Sequence, residues 1–279
     1  MVEKVLTIAG SDAGGGAGIQ ADLKTFEEYG TFGISTITSI LTVDPTTRVP
    51  DIYPVAIDVV EKQLITAFSG GELSAVKIGL LGSLEVINLI ENQLTSLTQK
   101  HLVLDPVMAV KTNNDVLQPE LVNEMIERLI PLADIVTPNL VEAQILSGLS
   151  VIETEEHLKE AALKIYNLGA KSVVIKGGSR FPSETATDLF YDGTNFHFIH
   201  KPKIITKTNH GAGCSFAAAI TAGLAKGLSL YEAVSLAKKY VARAIYEGIF
   251  LNEHTGYVWH GAYQQAENRM TKGEYINEQ

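Results

Sequence analysis

The sequence predicts an α/β fold with a mostly parallel central sheet, and two observations support that prediction. Short apolar runs typical of strands alternate along the chain with amphipathic stretches of helical period. This alternation is typical of βαβ units. The strand-like runs are apolar on both faces, as expected when helices cover both sides of a sheet.

The predicted elements follow one another through short connections. The strands are expected at Lys4–Ala9, Gly33–Ile40, Ala75–Ile78, Leu102–Leu104, Ile135–Thr137 and Ser172–Ile175. The helices are expected at Gln20–Tyr29, Ile57–Phe68, Ser83–Ser96, Pro119–Ile130, Val141–Leu146, Thr154–Leu168 and Leu230–Glu247. Two later runs, Thr187–Tyr191 and Asn195–Ile199, flank Asp192-Gly193, a strong turn signal. They predict an antiparallel hairpin at the sheet edge.

Composition limits the classes of protein that fit. The chain has 279 residues, of which 46% are hydrophobic and 19% charged, values that suit a buried core. A net charge of −10 without a basic patch argues against a nucleic-acid partner. The single cysteine cannot form an internal disulfide and favours a reducing, cytoplasmic compartment. Neither a signal peptide nor an apolar run of about 20 residues is found, so no membrane partner is expected.

No linker, repeat or low-complexity segment divides the chain. We therefore predict one domain over residues 1–263, followed by a polar tail at 264–279. Ligands of open α/β sheets bind beyond the carboxyl ends of the strands. Glycine or polar clusters follow six predicted strands, at Gly10–Gly18, Thr42–Thr47, Gly79–Gly82, Asp105–Lys111, Pro138–Glu142 and Gly177–Arg180. An ordinary turn explains any one cluster, but six together favour a ligand site along one sheet edge.

The strongest local signal is HGAGC at 210–214, which leads into a helix of small residues. Glycines and a helix start let backbone N–H groups approach an anion, so Gly211, Ala212 and Gly213 are candidates for an anion hole. Phosphoryl transfer needs such donors and a base for the attacking hydroxyl. Cys214, with a pKa lowered by the helix start, is the candidate base, together with His210. The alternative is a glycine turn before a packed helix that carries an inert cysteine.

Three weaker signals each have a structural alternative. Asn139 and Glu142 lie three residues apart at a helix start and could order Mg²⁺ through its waters, although a capping box is the stronger interpretation by itself. Lys176 ends a predicted strand and could contact phosphate, or it could simply be solvated. The Gly10–Gly18 run could be the floor of a site or a hinge. It lacks a convincing dinucleotide fingerprint, and the chain has no P-loop motif.

Taken together, these motifs resemble the ribokinase superfamily, in particular its branch of hydroxymethylpyrimidine kinases and bacterial pyridoxine/pyridoxal kinases. The resemblance lies in AGSDAGGGAGIQADLKTF near the start, LDPVM at 104–108, TPNLVEA at 137–143, VVIKGG at 173–178 and HGAGCSFAAAI at 210–220. It covers essentially the whole chain, and the ordered set is highly specific. It implies a single-domain three-layer sandwich, a homodimer, and ATP- and Mg²⁺-dependent transfer to a hydroxymethyl group on a heteroaromatic ring.

The resemblance also implies roles for individual residues. It implies an anion hole at Gly211–Gly213, a base at Cys214 where most sugar kinases keep aspartate, and a metal-ordering carboxylate at Glu142. The residues implied around ATP are Asn139, Lys176, Gly177, Gly178, Ser179, Arg180, Asp188, Gly213 and Lys238. The residues implied beside the substrate are Asp12, Ala17, Asp44, Leu80 and Val110, with the vitamin ring on the Gly10–Gly18 loop.

Departures from the family pattern refine the expected substrate. VDPT at 43–46 replaces the AQNT of hydroxymethylpyrimidine kinases and favours pyridoxal. Leu80 replaces a common methionine. Val110, in a candidate lid at 105–118, replaces a cysteine that adds to the aldehyde in the pyridoxal subgroup. The protein therefore either works without covalent capture or is a variant that has lost this thiol.

The expected function is phosphorylation of the 5′-hydroxymethyl group of pyridoxal, and of pyridoxine and pyridoxamine, in vitamin B6 salvage. Two alternatives stay open at this point. One is a hydroxymethylpyrimidine (phosphate) kinase of thiamine synthesis. The other is a vitamin-binding protein that performs no chemistry.

Overall fold

A nine-stranded sheet runs through the centre of the computed structural model, which describes residues 2–44, 46–47, 49–96, 100–108 and 119–264. Its strands are β1 Lys4–Asp12, β2 Phe32–Val43, β3 Pro50–Pro54, β4 Ala75–Ile78, β5 Leu102–Leu104, β6 Ile135–Val136, β7 Val173–Gly178, β8 Thr185–Tyr191 and β9 Phe196–Pro202. A separate two-stranded ribbon is formed by β10 Ile249–Phe250 and β11 Gly256–Tyr257. Of the predicted lid and tail, residues 109–118 and 265–279 lie outside the described part.

The sheet order is β3-β2-β1-β4-β5-β6-β7-β8-β9. The strands from β2 through β1 to β7 pair in parallel, which confirms the mostly parallel sheet. The predicted hairpin is confirmed as the antiparallel pair β8 and β9 at one edge. At the other edge β2 extends to Val43 and pairs antiparallel with β3, which the sequence did not predict. Prolines at both ends of β3 weaken its strand signal, yet an edge strand tolerates them.

Helices cover both faces of the sheet. They are α1 Gly18–Glu28, α2 Ile57–Phe68, α3 Leu84–Ser96, α4 Pro119–Glu124, α5 Leu140–Ser147, α6 Glu155–Tyr166, α7 Ala212–Ala225 and α8 Leu230–Tyr246. A π-helical turn at Met125–Leu129 and a 3₁₀ turn at Ile130–Leu132 follow α4, so the α-helix predicted to reach Ile130 ends earlier.

Alternate residues of each central strand enter different cores, because successive side chains point to opposite faces of a sheet. Leu104 and Ile175 pack in the larger core, while their neighbours Val103 and Val174 pack against α7 and α8. The three-layer arrangement is therefore confirmed. None of the helices in the described ranges is long and apolar enough to cross a membrane.

Candidate active site

The glycine loop after β1 is held in place by Asp12. The Asp12 carboxylate accepts the backbone N–H groups of Gly14 at 2.8 Å, Gly16 at 3.2 Å and Ala17 at 2.9 Å. Nε2 of His210 lies 3.4 Å from the same carboxylate. Burial acts to raise the Asp12 pKa, but His210 and the loop N–H groups outweigh it and lower the pKa. Asp12 is therefore ionised, and its carboxylate holds the loop in place.

The ring of Tyr257 covers part of this loop. A Cβ atom on Gly14 or Gly16 would overlap the Tyr257 side chain, so only glycine fits beneath it. The ring also packs edge-on against His210, with centroids 5.0 Å apart. At Gly14 and Gly16 the loop therefore packs against a side chain of the protein itself. Tyr257 carried no signal in the sequence.

The HGAGC motif forms the turn into α7 and touches the glycine loop. Gly211 has a φ of 86°, a conformation that favours glycine, and a Cβ atom there would overlap the Gly16 carbonyl oxygen. The Ser215 N–H donates to the Gly211 carbonyl at 2.9 Å as the first turn of the helix closes. The preceding N–H groups of Gly213 and Cys214 are therefore at the open helix start.

Ala212 differs from its neighbours at this helix start. Its N–H donates to the Asn209 carbonyl at 3.3 Å, so it is the least available of the three predicted anion-hole donors. The two N–H groups that follow it along the helix remain the better candidates.

Cys214 is half-buried at this helix start. Loss of hydration raises the pKa of its thiol, and the carboxylates of Asp105 and Asp22 act in the same direction. Lys77 and the Gly18 N–H oppose the rise without reversing it. The predicted lowering of the pKa is therefore wrong, because burial and two nearby carboxylates outweigh the helix start.

Buried lysine–aspartate pairs surround the site. They are Lys77–Asp22 at 2.8 Å, Lys176–Asp105 at 2.7 Å and Lys238–Asp188 at 2.7 Å. Lys77 and Asp22 have fully buried side chains, and the Thr7 hydroxyl also donates to Asp22 at 2.6 Å. Burial alone would lower the Lys77 pKa, but Asp22, Cys214 and Asp105 raise it. The role of Lys77 was not predicted, although a single charge in the apolar run AVKIGL is a signal of a buried pair.

Lys176, the cation of one of these pairs, lies beside the start of α7. The pairing register of β7 shifts between Ile175 and Gly178, a bulge that alters the direction of side chains at the strand end. A Cβ atom on Gly213 would lie 3.5 Å from the Lys176 Nζ. Burial acts to lower the Lys176 pKa, but Asp105 and Glu142 raise it. A protonated ammonium therefore lies beside the helix-start N–H groups.

Asn139 and Glu142 form a capping box at the start of α5, as the structural interpretation predicted. The Asn139 side chain accepts the N–H groups of Val141 at 2.9 Å and Glu142 at 3.1 Å. The Glu142 carboxylate accepts the Asn139 N–H at 2.7 Å. Glu142 is only 4% exposed, and burial, with Asp105, raises its pKa to about 7 against the opposing charge of Lys176. A cap alone does not require a buried carboxylate.

A cleft of about 260 Å³ begins beside these groups. Its lining includes every residue expected around ATP, namely Asn139, Lys176, Gly177, Gly178, Ser179, Arg180, Asp188, Gly213 and Lys238. Apolar side chains that the sequence did not reveal also line it, among them Ile204, Phe216, Val241, Ala242 and Ile245. The cleft thus combines cations and N–H groups with an apolar surface.

Asp188 fixes the polar side of this cleft. One of its oxygens accepts the Gly178 N–H at 3.0 Å and the other accepts the Lys238 Nζ at 2.7 Å. Asp188 is 3% exposed, so it holds the neighbouring groups in position more than it presents a free carboxylate.

The residues expected beside the substrate are only partly brought together. Leu80 lies next to the glycine loop, since a Cβ atom on Gly10 would be 3.2 Å from its Cδ2. Asp44 lies in an exposed turn, where it accepts the N–H groups of Thr46 at 2.8 Å and Thr47 at 2.6 Å. Val110 lies outside the described residues.

Replacing Asp12 with asparagine is expected to lower the free energy of unfolding by about 1–3 kcal/mol, because the amide keeps one acceptor oxygen and places an NH₂ donor where the second carboxylate oxygen accepts loop N–H groups. The Asp12 pKa is lowered by folding, so its stabilisation is present above 3.8 and disappears as pH falls through the folded-state pKa. Urea unfolding at pH 7 and pH 3 should show the variant's deficit shrinking at low pH. Asp58→Asn, in an exposed pair with Lys62, is the control and should change stability by less than about 0.5 kcal/mol.

Known proteins are similar to this chain in both sequence and fold. The sequence profile of the phosphomethylpyrimidine kinase family matches residues 12–259. The pyridoxine kinase of Bacillus subtilis is 43% identical over 262 residues, which cover 94% of this chain and 97% of the relative.

Two solved structures sharpen the comparison. One is the pyridoxal kinase of Staphylococcus aureus in complex with AMP-PCP and pyridoxal, which is 45% identical to this chain and superimposes with a TM-score of 0.89. The match covers 95% of this chain and 96% of the S. aureus chain. The phosphomethylpyrimidine kinase of Clostridium difficile 630 is 39% identical with a TM-score of 0.75, over 87% of this chain and 99% of its own. Sequence and fold agree, and this chain belongs to the phosphomethylpyrimidine kinase family.

Proposed function

We propose that this protein is a pyridoxal kinase, which transfers the γ-phosphoryl group of ATP to the 5′-hydroxymethyl group of pyridoxal, pyridoxine and pyridoxamine. The observation that carries the proposal is the Lys176 ammonium beside Gly213 at the start of α7, where a cleft of about 260 Å³ begins. A cation and convergent N–H groups stabilise the charge of a transferring phosphoryl group. The S. aureus relative, solved with an ATP analogue and pyridoxal, supports this pair of substrates.

The cleft supplies what a nucleoside triphosphate needs. The phosphates would lie against Lys176 and the N–H groups of Gly213 and Cys214, since Lys176 and Gly213 lie side by side in the cleft lining and Cys214 follows in the same helical turn. The adenine base of the nucleotide would lie against the apolar side chains of Phe216 and Val241, because transfer of an aromatic ring from water to an apolar surface is favourable. Gly178, which Asp188 fixes in place, would contact the phosphate chain.

The phosphoryl acceptor would lie between the glycine loop and Cys214. Leu80, which lies next to Gly10, would border this position on one side, and His210, which lies beside Asp12, would border it on another. Cys214 would take the proton of the hydroxymethyl group as the oxygen attacks phosphorus. His210, hydrogen-bonded to the Asp12 carboxylate, would orient this hydroxyl.

The residues present fit a Mg²⁺ ion. No group of three or more His, Cys, Asp or Glu side chains that could hold a metal occurs in the described part of the chain. Mg²⁺ needs no such cluster, because it usually binds through one or two carboxylates, substrate phosphates and waters. Glu142 is buried against Asp105 and Lys176 and would hold the ion with its hydration shell. When bound, the ion would neutralise phosphate charge.

Replacing Glu142 with glutamine is expected to raise the Mg²⁺ concentration for half-maximal rate by at least about tenfold. Glu232→Gln is the matched control, because Ser229 and Glu232 form the capping box of α8, where Glu232 is exposed. Initial rates over a Mg²⁺ titration measure the effect. If both variants leave the titration unchanged, Glu142 acts only as a helix cap.

A substrate panel tests the proposed function. ADP release, followed by a coupled assay with pyridoxal, pyridoxine, pyridoxamine and hydroxymethylpyrimidine, should give the largest kcat/KM with a B6 vitamer. The pyrimidine is a genuine competitor, since a phosphomethylpyrimidine kinase of known structure shares 39% of this sequence. A larger kcat/KM with hydroxymethylpyrimidine would assign the protein to thiamine synthesis. Binding without ADP release would leave a vitamin-binding protein.

We further propose a cytoplasmic homodimer. Apolar side chains are exposed on β2 and on the two elements that contact it, β3 and α2, namely Phe32, Ile40, Tyr53, Val59 and Ile65. Burial of such a surface is a common driving force for association. Light scattering should give about twice the chain mass of 30.1 kDa. The single cysteine suits the reducing cytoplasm.

A further inference from the structure

The segment Gly256–His260 is attached to the HGAGC motif on both sides of His210. The His210 N–H donates to the Gly256 carbonyl at 3.2 Å, and the Val258 N–H donates to the His210 carbonyl at 3.1 Å. Two residues further on, His260 is 4% exposed, and its carbonyl accepts the Tyr240 hydroxyl at 3.1 Å. The backbone of His260 is therefore fixed relative to α8, and its imidazole is directed at the start of α7.

His260 and Ser215 form a chain of hydrogen bonds to Gly211. The Ser215 hydroxyl donates to the Gly211 carbonyl at 2.8 Å and lies 3.0 Å from Nε2 of His260. A carbonyl oxygen can only accept, so we assign the single Ser215 proton to Gly211 and the donor of the second bond to Nε2 of the imidazole. Burial and the charge of Lys24 lower the His260 pKa to about 4, which keeps the ring neutral.

The Gly211 carbonyl belongs to the peptide plane that also contains the Ala212 N–H. That N–H is bonded to the Asn209 carbonyl, so anchoring the Gly211 oxygen holds the same plane from its other side. The plane in turn sets the direction of the first helical turn, where the N–H groups of Gly213 and Cys214 follow. Gly211 needs such an anchor because its φ of 86° is outside the conformations that a helix imposes. The Ser215 hydroxyl and N–H both converge on this one oxygen.

We propose that His260 is a positioning residue for phosphoryl transfer, acting through Ser215 to hold the Gly211 peptide in the orientation that presents the anion-hole N–H groups. The proposal rests on the kinase function proposed above. His260 is buried behind Ser215 and is not among the residues that line the cleft. Its effect is on the alignment of donors, so it should alter kcat more than the binding of ATP or vitamer.

The test compares variants at His260 and Ser215. His260→Phe and Ser215→Ala should each lower kcat about tenfold while KM for ATP and vitamer stays within about twofold. His260→Gln should restore most of kcat, because a glutamine amide donates from the position of Nε2. His260→Asn should not, because its amide matches the position of Nδ1. The double variant should be no worse than the poorer single variant, since both changes break one chain.

Hydrogen exchange of the 211–214 amides, measured on the same proteins without substrate, tests the role of His260 independently of whether the protein is a kinase. Exchange should accelerate in His260→Phe and Ser215→Ala and return to the wild-type rate in His260→Gln. A wild-type protein without kinase activity would refute the proposed function, and exchange would still decide the role of His260. Equal kcat loss in the Gln and Phe variants, additive effects in the double variant, or unchanged exchange would each overturn the proposal. If His260→Phe does not fold, Ser215→Ala alone decides between these outcomes.

Discussion

Replacing Gly211 with alanine is expected to lower kcat by about 100-fold or more, the effect of losing a donor from an anion hole. Alanine at a φ of 86° is strained by about 1–2 kcal/mol, and its Cβ atom would overlap the Gly16 carbonyl oxygen. The loop and the helix start cannot both keep their positions, so the N–H groups of Gly213 and Cys214 would move away from the phosphoryl group. Steady-state kinetics and urea unfolding measure the two effects.

Gly227 at the other end of α7 provides the matched control. It also has a φ of 86°, but a Cβ atom there would meet nothing within 4 Å. Gly227→Ala should therefore lose only about 1 kcal/mol of stability and keep its kcat. Equal kinetic losses in the two variants would mean that backbone strain in α7, and not the contact with Gly16, controls the reaction.

Replacing Cys214 with alanine is expected to lower kcat by about 100-fold or more, because a general base contributes at least that much. The dissociation constant of ATP should change little, because Cys214 is proposed to contact the nucleotide through its backbone N–H and not through its thiol. Burial and the carboxylates of Asp105 and Asp22 raise the Cys214 pKa, so the thiol is protonated at neutral pH. The wild-type kcat should therefore rise as pH increases from 7 to 9, as thiolate forms.

Cys214→Asp is the informative companion, since it introduces the residue type that most sugar kinases have at this position. A carboxylate ionises at lower pH, so the rise in kcat should move to lower pH in this variant. If the wild type and Cys214→Ala show the same rate and the same pH profile, the thiol has no part in proton transfer.

Local and periodic features could be predicted from the sequence. The alternation of strands and helices predicted the sheet, and the Asp192-Gly193 turn predicted the hairpin, and the structure confirms both. The clusters after the strands predicted a ligand site at one sheet edge, and from these clusters His210 lies beside Asp12 and Lys176 lies beside Gly213. These features depend on neighbouring residues in the chain. Strand β3 was missed, because its pairing with β2 is decided by tertiary contact more than by its own residues.

Long-range features were hidden for a physical reason. The position of Tyr257 over Gly14 and Gly16 joins residues more than 200 positions apart, and no local pattern encodes that contact. The Cys214 pKa was predicted in the wrong direction, because a helix start is visible in the sequence whereas burial beside Asp105 is not.

Glu142 illustrates how one residue supports two interpretations. Its spacing from Asn139 predicted a capping box, and the structure contains that box. Burial of the carboxylate beside Lys176 and Asp105 was not visible in the sequence, and it is the feature that distinguishes Glu142 from Glu232.

The start of α7 is proposed to direct transfer of the phosphoryl group to the 5′ oxygen of pyridoxal. Phosphorus NMR of a reaction containing ATP, Mg²⁺ and pyridoxal tests it most directly. The wild type should form equal amounts of ADP and pyridoxal 5′-phosphate, and Gly211→Ala should form a greatly reduced amount of both. ADP that forms without pyridoxal 5′-phosphate, or undiminished product in Gly211→Ala, would contradict it.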